Sequence, residues 1–74
     1  MNTYTDNTQG AKKFVRDCLD YGEMESAIAA RLLTDGIFVP YRMAPKVWHV
    51  RIDGQDAAML WLDEQVFELA DWII

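Results

Sequence analysis

Apolar residues in this 74-residue chain keep a helical period up to Thr34 and give way to β-branched and aromatic residues after Gly36. That change of period constrains the fold more than any single motif. Ala11, Phe14, Val15, Cys18 and Leu19 follow the i, i+3, i+4, i+7, i+8 spacing of one helical face, while Lys12, Lys13, Arg16, Asp17 and Asp20 take the other. The spacing predicts a helix from Thr8 to about Tyr21, closed by Gly22. A second helical stretch lies between Glu23 and Asp35, with Met24, Ala27, Ile28, Leu32 and Leu33 as its buried stripe and Asp35-Gly36 as its stop. Glu23 and Glu25 suit the positive end of that helix, and Ala27, Ala29 and Ala30 allow the first helix to approach closely. The two form a predicted helical hairpin. Residues 1–7 show neither period and read as a mobile arm ahead of a single domain over 8–74.

Beyond Gly36, Ile37, Phe38, Val39 and Tyr41 predict one strand, and Val47, Trp48, Val50 and Ile52 a second. Pro40 has no donor, so the first strand belongs at an edge. Ala44-Pro45-Lys46 connects the two, and Asp53-Gly54 marks a tight turn after the second. In the second strand Trp48, Val50 and Ile52 alternate with Val47, His49 and Arg51, which predicts one buried face and one wet face. Residues 57–62 fit a third strand, the preferred reading, or the start of a helix running from about Gln55 to Ile74. With the strand, Asp63 caps a last helix whose inward stripe is Val66, Leu69, Ala70 and Ile73, flanked by Phe67 and Trp72. The expected fold class is α+β: two N-terminal helices, a small antiparallel sheet of two or three strands, and a C-terminal helix. The terminal Trp72-Ile73-Ile74 is too apolar to be left in water, and it docks either on the first helices or in a homodimer.

Several function classes are disfavoured by composition. With 51% hydrophobic and 26% charged residues the chain is an ordinary globular protein. Its single cysteine, Cys18, supports neither a disulfide framework nor a paired-ligand zinc site. Residues 1–10 are polar, and no apolar run approaches the roughly 18 residues needed to span a bilayer. The expectation is a cytoplasmic protein with no membrane partner. Seven basic against twelve acidic residues give a net charge of −5, which repels a phosphate backbone and favours a basic partner. The chain has no Gly-rich phosphate loop, nucleophile elbow, HExxH or CxxC, so the expectation is a non-enzyme without cofactor or metal. The alternative, a small enzyme, would have to use Cys18 or His49; Cys18 sits on the apolar stripe of the first helix and His49 on the wet face of a strand.

Two features point to binding. From Asp53 onward the acids Asp53, Asp56, Asp63, Glu64, Glu68 and Asp71 stand with no basic residue among them, which reads as a solubilising face or as a patch for a basic protein. The strands carry an aromatic and basic cluster, Tyr41, Arg42, Lys46, Trp48, His49 and Arg51, of residue types common at binding hot spots. In size and charge the chain is similar to the small inhibitors that phages and mobile elements direct at host defence systems, some of which imitate nucleic acid. That likeness implies a protein-binding inhibitor or adaptor whose acidic surface docks on a nucleic-acid-binding complex, in an anti-CRISPR or anti-restriction role. A second reading takes the two helices and the hairpin as a winged-helix-like DNA-binding regulatory module.

Overall fold

The computed structural model describes residues 4–74. Its elements are α1 (Thr8–Asp20), α2 (Glu25–Thr34), β1 (Pro40–Ala44), β2 (Val47–Ile52), β3 (Gln55–Trp61), β4 (Val66–Leu69) and a terminal 3₁₀ turn, η1 (Asp71–Ile73). The four strands form one antiparallel meander in the order β1-β2-β3-β4, so the α+β class holds. Residues 1–3 of the expected arm lie outside the described residues. Of the remainder, Tyr4 packs edge-on against Phe14 at 5.2 Å between ring centroids, and its hydroxyl donates to Asp17 at 2.7 Å.

Both helix ends follow the local chemistry. The Asn7 side chain accepts from the Gly10 N–H at 2.8 Å, which caps α1. At the other end the N–H groups of Gly22 and Glu23 donate to the carbonyls of Leu19 and Cys18 around a left-handed Gly22, φ 82°; this pair of hydrogen bonds closes a helix with the residue type that best tolerates the conformation. In α2 the buried face is Ile28, Ala29, Leu32 and Leu33. Met24 and Ala27, expected in that stripe, are exposed: α2 begins at Glu25, leaving Met24 outside it as the N-cap, and its inward face takes Ala29 in place of Ala27.

The first strand also starts late. Ile37 to Val39 bridge α2 and β1, yet Phe38 from this bridge is buried and meets Phe14 edge-on at 6.4 Å. The Asp53-Gly54 turn forms as its sequence predicts, with φ of 51° and 84°, the doubly left-handed pair whose twist suits a two-residue hairpin. Asp53 then does a second job: its Oδ2 accepts from the Thr8 N–H at 2.8 Å and the Thr8 hydroxyl at 2.6 Å, tying the start of α1 to the sheet. These two bonds to Thr8 hold the Asp53 carboxyl below the ordinary carboxylate range.

In the C-terminal third the preferred third strand is present and the expected C-terminal helix is corrected. Residues 55–61 are strand, so the long helix over 55–74 is not formed. The shorter helix from Asp63 is not formed either: a turn follows β3, Gln65 takes φ 54°, and Val66–Leu69 pairs with β3 as a fourth strand. The sequence of β4 satisfies both periods. Val66, Leu69, Ala70 and Ile73 make a helical stripe, but Phe67 and Leu69 also alternate with Val66 and Glu68, and both of the former pack on the core. Pairing with β3 decides between them, since without β4 that strand would be an open apolar edge. The apolar end docks within the chain: Ile73 is buried and lines a groove with Val15 and Leu19 of α1.

Register shows which side of the sheet the helices cover. The cross-strand rows Val50–Ala58–Leu69 and Trp48–Leu60–Phe67 all belong to the core with Ile28, Leu32 and Phe14. Between them lie the rows Tyr41–His49–Met59–Glu68 and Ala44–Val47–Trp61–Val66, none of which is in that core. The second face of the sheet is therefore uncovered among the described residues.

Candidate functional site

At the centre of the uncovered face sits His49. The wet-face expectation for it is half right: it lies on that face, but it is only 7% exposed. Tyr41 meets the imidazole edge-on at 6.1 Å, and the ring Nδ1–H donates to Asp56 Oδ1 at 2.7 Å. Arg51 Nε lies 3.5 Å from the same carboxylate oxygen. A β-bulge makes this arrangement possible. Register slips between Val50 and Arg51, so that Arg51 faces Asp56 while Val50 faces Ala58; the extra residue, Ala57, turns inward and is fully buried. The carbonyls freed around the bulge are taken by the C-terminal segment, from Ala70 N–H to Ala57 at 2.8 Å and from Trp72 Nε1–H to Asp56 at 2.7 Å. The polar groups are thus held on both sides, as buried polar groups must be.

Around this centre the face is apolar. Tyr41 is 55% exposed, Met43 45%, Val66 37% and Trp61 36%, and Val47 and Met59 are half-buried beside them. Tyr41, His49 and Arg51 line a shallow concavity. Of the basic and aromatic residues singled out from sequence, these three converge. Arg42 does not, because it pairs with Trp48 and so alternates toward the helix side. Met59, Trp61 and Val66 were missed as contact candidates. The alternation of Met59 and Trp61 with Ala58 and Leu60 was the signal that could have found them.

The acidic tail is partly neutralised by its own chain. Asp53 is engaged by Thr8, Asp56 by His49 and Arg51, and Asp63 by Lys46 at 2.9 Å. The last is an exposed pair, a kind that contributes little to stability, but it offsets the charge locally. Glu64, Glu68 and Asp71 make no ion pair or side-chain hydrogen bond among the described residues. Glu68 shares the uncovered face, in the row of Met59, while Glu64 lies in the β3–β4 turn and Asp71 in η1.

Cys18 and His49 have different neighbours and make no bond to each other. Cys18 is 3% exposed and lies 3.5 Å from Arg31 Nη1; Arg31 also bonds Glu23 at 2.6 Å and Asp35 at 3.1 Å. Burial, followed by a hydrogen bond to Glu23, pushes the thiol up to about 11, where little thiolate exists near neutrality. We expect iodoacetamide at pH 8 to label Cys18 only as fast as the protein opens, and labelling of the native protein at the rate of a free thiol would contradict this. No group of three or more His, Cys, Asp or Glu among the described residues is placed to hold a metal ion.

These features define a small α+β domain in which α2 packs on one face of a four-stranded meander with α1 against α2 and η1, and the other face, among the described residues, carries an aromatic and apolar surface around a held His–Asp–Arg cluster. No family model, curated protein or solved structure matches the chain, and no helix in the described residues is long and apolar enough to cross a membrane.

Proposed function

We propose that this chain is a non-enzymatic protein-binding module, an inhibitor or adaptor working in the cytoplasm, whose contact surface is the uncovered sheet face. The observation that carries the reading is the set of large side chains left there, Tyr41, Met43, Trp61 and Val66. Contiguous exposed apolar groups mark contact surfaces, and a tyrosine and a tryptophan beside an arginine are the usual anchors of one. Glu68 and Glu64, unpaired among the described residues, give its β4 side a negative rim, so the fitting partner is apolar at the centre and basic beside it. A nucleic-acid-binding protein of a defence complex has that chemistry, and antagonism of such a complex by a phage or mobile element is the role this reading favours.

The winged-helix reading has less support. α2 carries a single base, Arg31, committed to Glu23 and Asp35, and offers no free cation to a groove. Affinity capture from a bacterial lysate tests the leading reading. Wild type and a helix-side control, Lys12→Asp, should retain the same nucleic-acid-binding protein. Trp61→Asp or the pair Glu64→Lys and Glu68→Lys should lose it, with Trp61 alone costing about 2 kcal/mol, or roughly thirtyfold in Kd. Equal recovery by all four folded proteins would overturn the proposal.

A further inference from the structure

The two edges of the sheet are built differently. β1 opens with Pro40, which has no N–H, and its register slips between Arg42 and Ala44; both features blunt an edge against strand pairing. β4 has neither a proline nor a bulge. Hydrogen bonds alternate along an antiparallel pair, and two bonds fix the phase here. Ala70 N–H donates to the Ala57 carbonyl, and Leu62 N–H donates to the Lys46 carbonyl. Odd-numbered residues of β3 above the bulge therefore bond toward β4 and even-numbered ones toward β2. In β4 the pairs Met59–Glu68 and Trp61–Val66 hold the inward bonds, while Phe67 and Leu69, facing Leu60 and Ala58, turn their N–H and C=O groups outward. No backbone partner outside the sheet engages Phe67 or Leu69 among the described residues. Such groups are obligatory hydrogen-bonding groups wherever water is excluded.

The charge around this edge selects what can pair with it. Glu64 precedes β4, Glu68 stands on it and Asp71 follows it, all three without an ion pair among the described residues, and no basic residue occurs after Arg51. We propose that β4 accepts an extended basic segment of the partner protein as a fifth strand, bonded to Phe67 and Leu69, with a lysine or arginine beside Glu68 on the uncovered face. This rests on the reading of the chain as a protein-binding module and adds the mode of docking. Opposite charges on neighbouring strands stabilise pairing and like charges oppose it. A second copy is disfavoured for that reason: any two-fold pairing of β4 that keeps the helices on one face brings Glu68 beside its counterpart or one row away. The added strand would lengthen the Trp61–Val66 row and join main-chain bonds to side-chain selectivity, as strand addition does elsewhere.

Amide hydrogen exchange of the full chain tests this with three synthetic nine-residue probes. One alternates lysine with valine and threonine, one replaces its lysines by glutamates, and one keeps the lysines but is N-methylated at its valines and threonines, the residues whose N–H groups would face β4. At about ten times its Kd the lysine peptide should slow exchange at Phe67 and Leu69 about tenfold and leave Arg42 on the β1 edge unchanged. The glutamate and N-methylated peptides should leave exchange at all three amides unchanged. Equal effects of the N-methylated peptide, or no protection at the two amides with any probe, would overturn strand addition. So would protection that rises with protein concentration alone, which would mean a second copy. Signals that move only at Tyr41, His49, Met59 and Trp61 would remove strand addition while leaving the docking face standing, and the Trp61→Asp capture decides that face independently.

Discussion

Phe14→Ala is expected to leave about half of the protein unfolded in water at room temperature. Phe14 is 2% exposed and is the point where three otherwise separate segments meet. Its ring lies edge-on to Tyr4 at 5.2 Å and to Phe38 at 6.4 Å, and the Arg31 guanidinium sits 5.2 Å over it. Through these contacts it joins the segment before α1, the bridge into β1, and α2. Truncating a buried phenylalanine costs about 3–5 kcal/mol, while a single core in a domain this small rarely supplies more than about 3–5 kcal/mol of net stability. The loss therefore matches the whole margin. The remaining contacts of Arg31 cannot offset it, because its pairs with Glu23 and Asp35 are partly exposed and such pairs contribute at most about 1 kcal/mol. Far-ultraviolet circular dichroism and urea unfolding read the outcome. A cooperative transition within about 1 kcal/mol of wild type would show that the core does not depend on this ring.

Gly10→Ala should destabilise the protein by about 2 kcal/mol or more, although the same change inside an ordinary helix gains about 1 kcal/mol. Gly10 lies in the first turn of α1, and a methyl there would stand 1.9 Å from the Thr5 carbonyl oxygen and 2.6 Å from the Thr5 hydroxyl. No Cβ tolerates a backbone oxygen at that distance, so the segment before the helix must lift. Lifting it removes the Asn7 cap, worth about 1 kcal/mol, and draws Tyr4 away from Phe14 and Asp17. Tyr4 also provides a spectroscopic signature. Its hydrogen bond to Asp17, with burial, pushes the phenol up to about 12. A phenol raised in the folded state stabilises that state fully below its ordinary value of 10.0 and loses the contribution as pH climbs through 12. In Gly10→Ala the ultraviolet titration of one tyrosine should return toward 10.0. An unchanged titration with increased stability would mean that the backbone approach at Gly10 is not part of the fold.

Several local elements were readable because their determinants are local. The apolar stripe of α1, the glycine that closes it and the Asp53-Gly54 hairpin each depend on residues within one or two turns of chain. The strand over 55–61 was readable as a preference only, since its alanines and Leu60 suit either period. The site was legible in pieces. Tyr41, His49 and Arg51 converge as their shared parity on neighbouring strands required, while Arg42 carries the opposite parity and is turned away. The inward turn of Ala57 depends on a bulge that no residue pattern announces.

What the residues settled unaided is the class of the domain, its two helices, its tight turns and a chain whose last third is acidic, because propensity, capping and charge are properties of short stretches. The folded chain alone decided that Val66–Leu69 is a strand and that one sheet face stays bare. It also decided that three of the six tail acids are spent on Thr8, the His49–Arg51 pair and Lys46. Those outcomes depend on groups far apart in sequence competing for the same partners, and only the register of the sheet brings the competitors together.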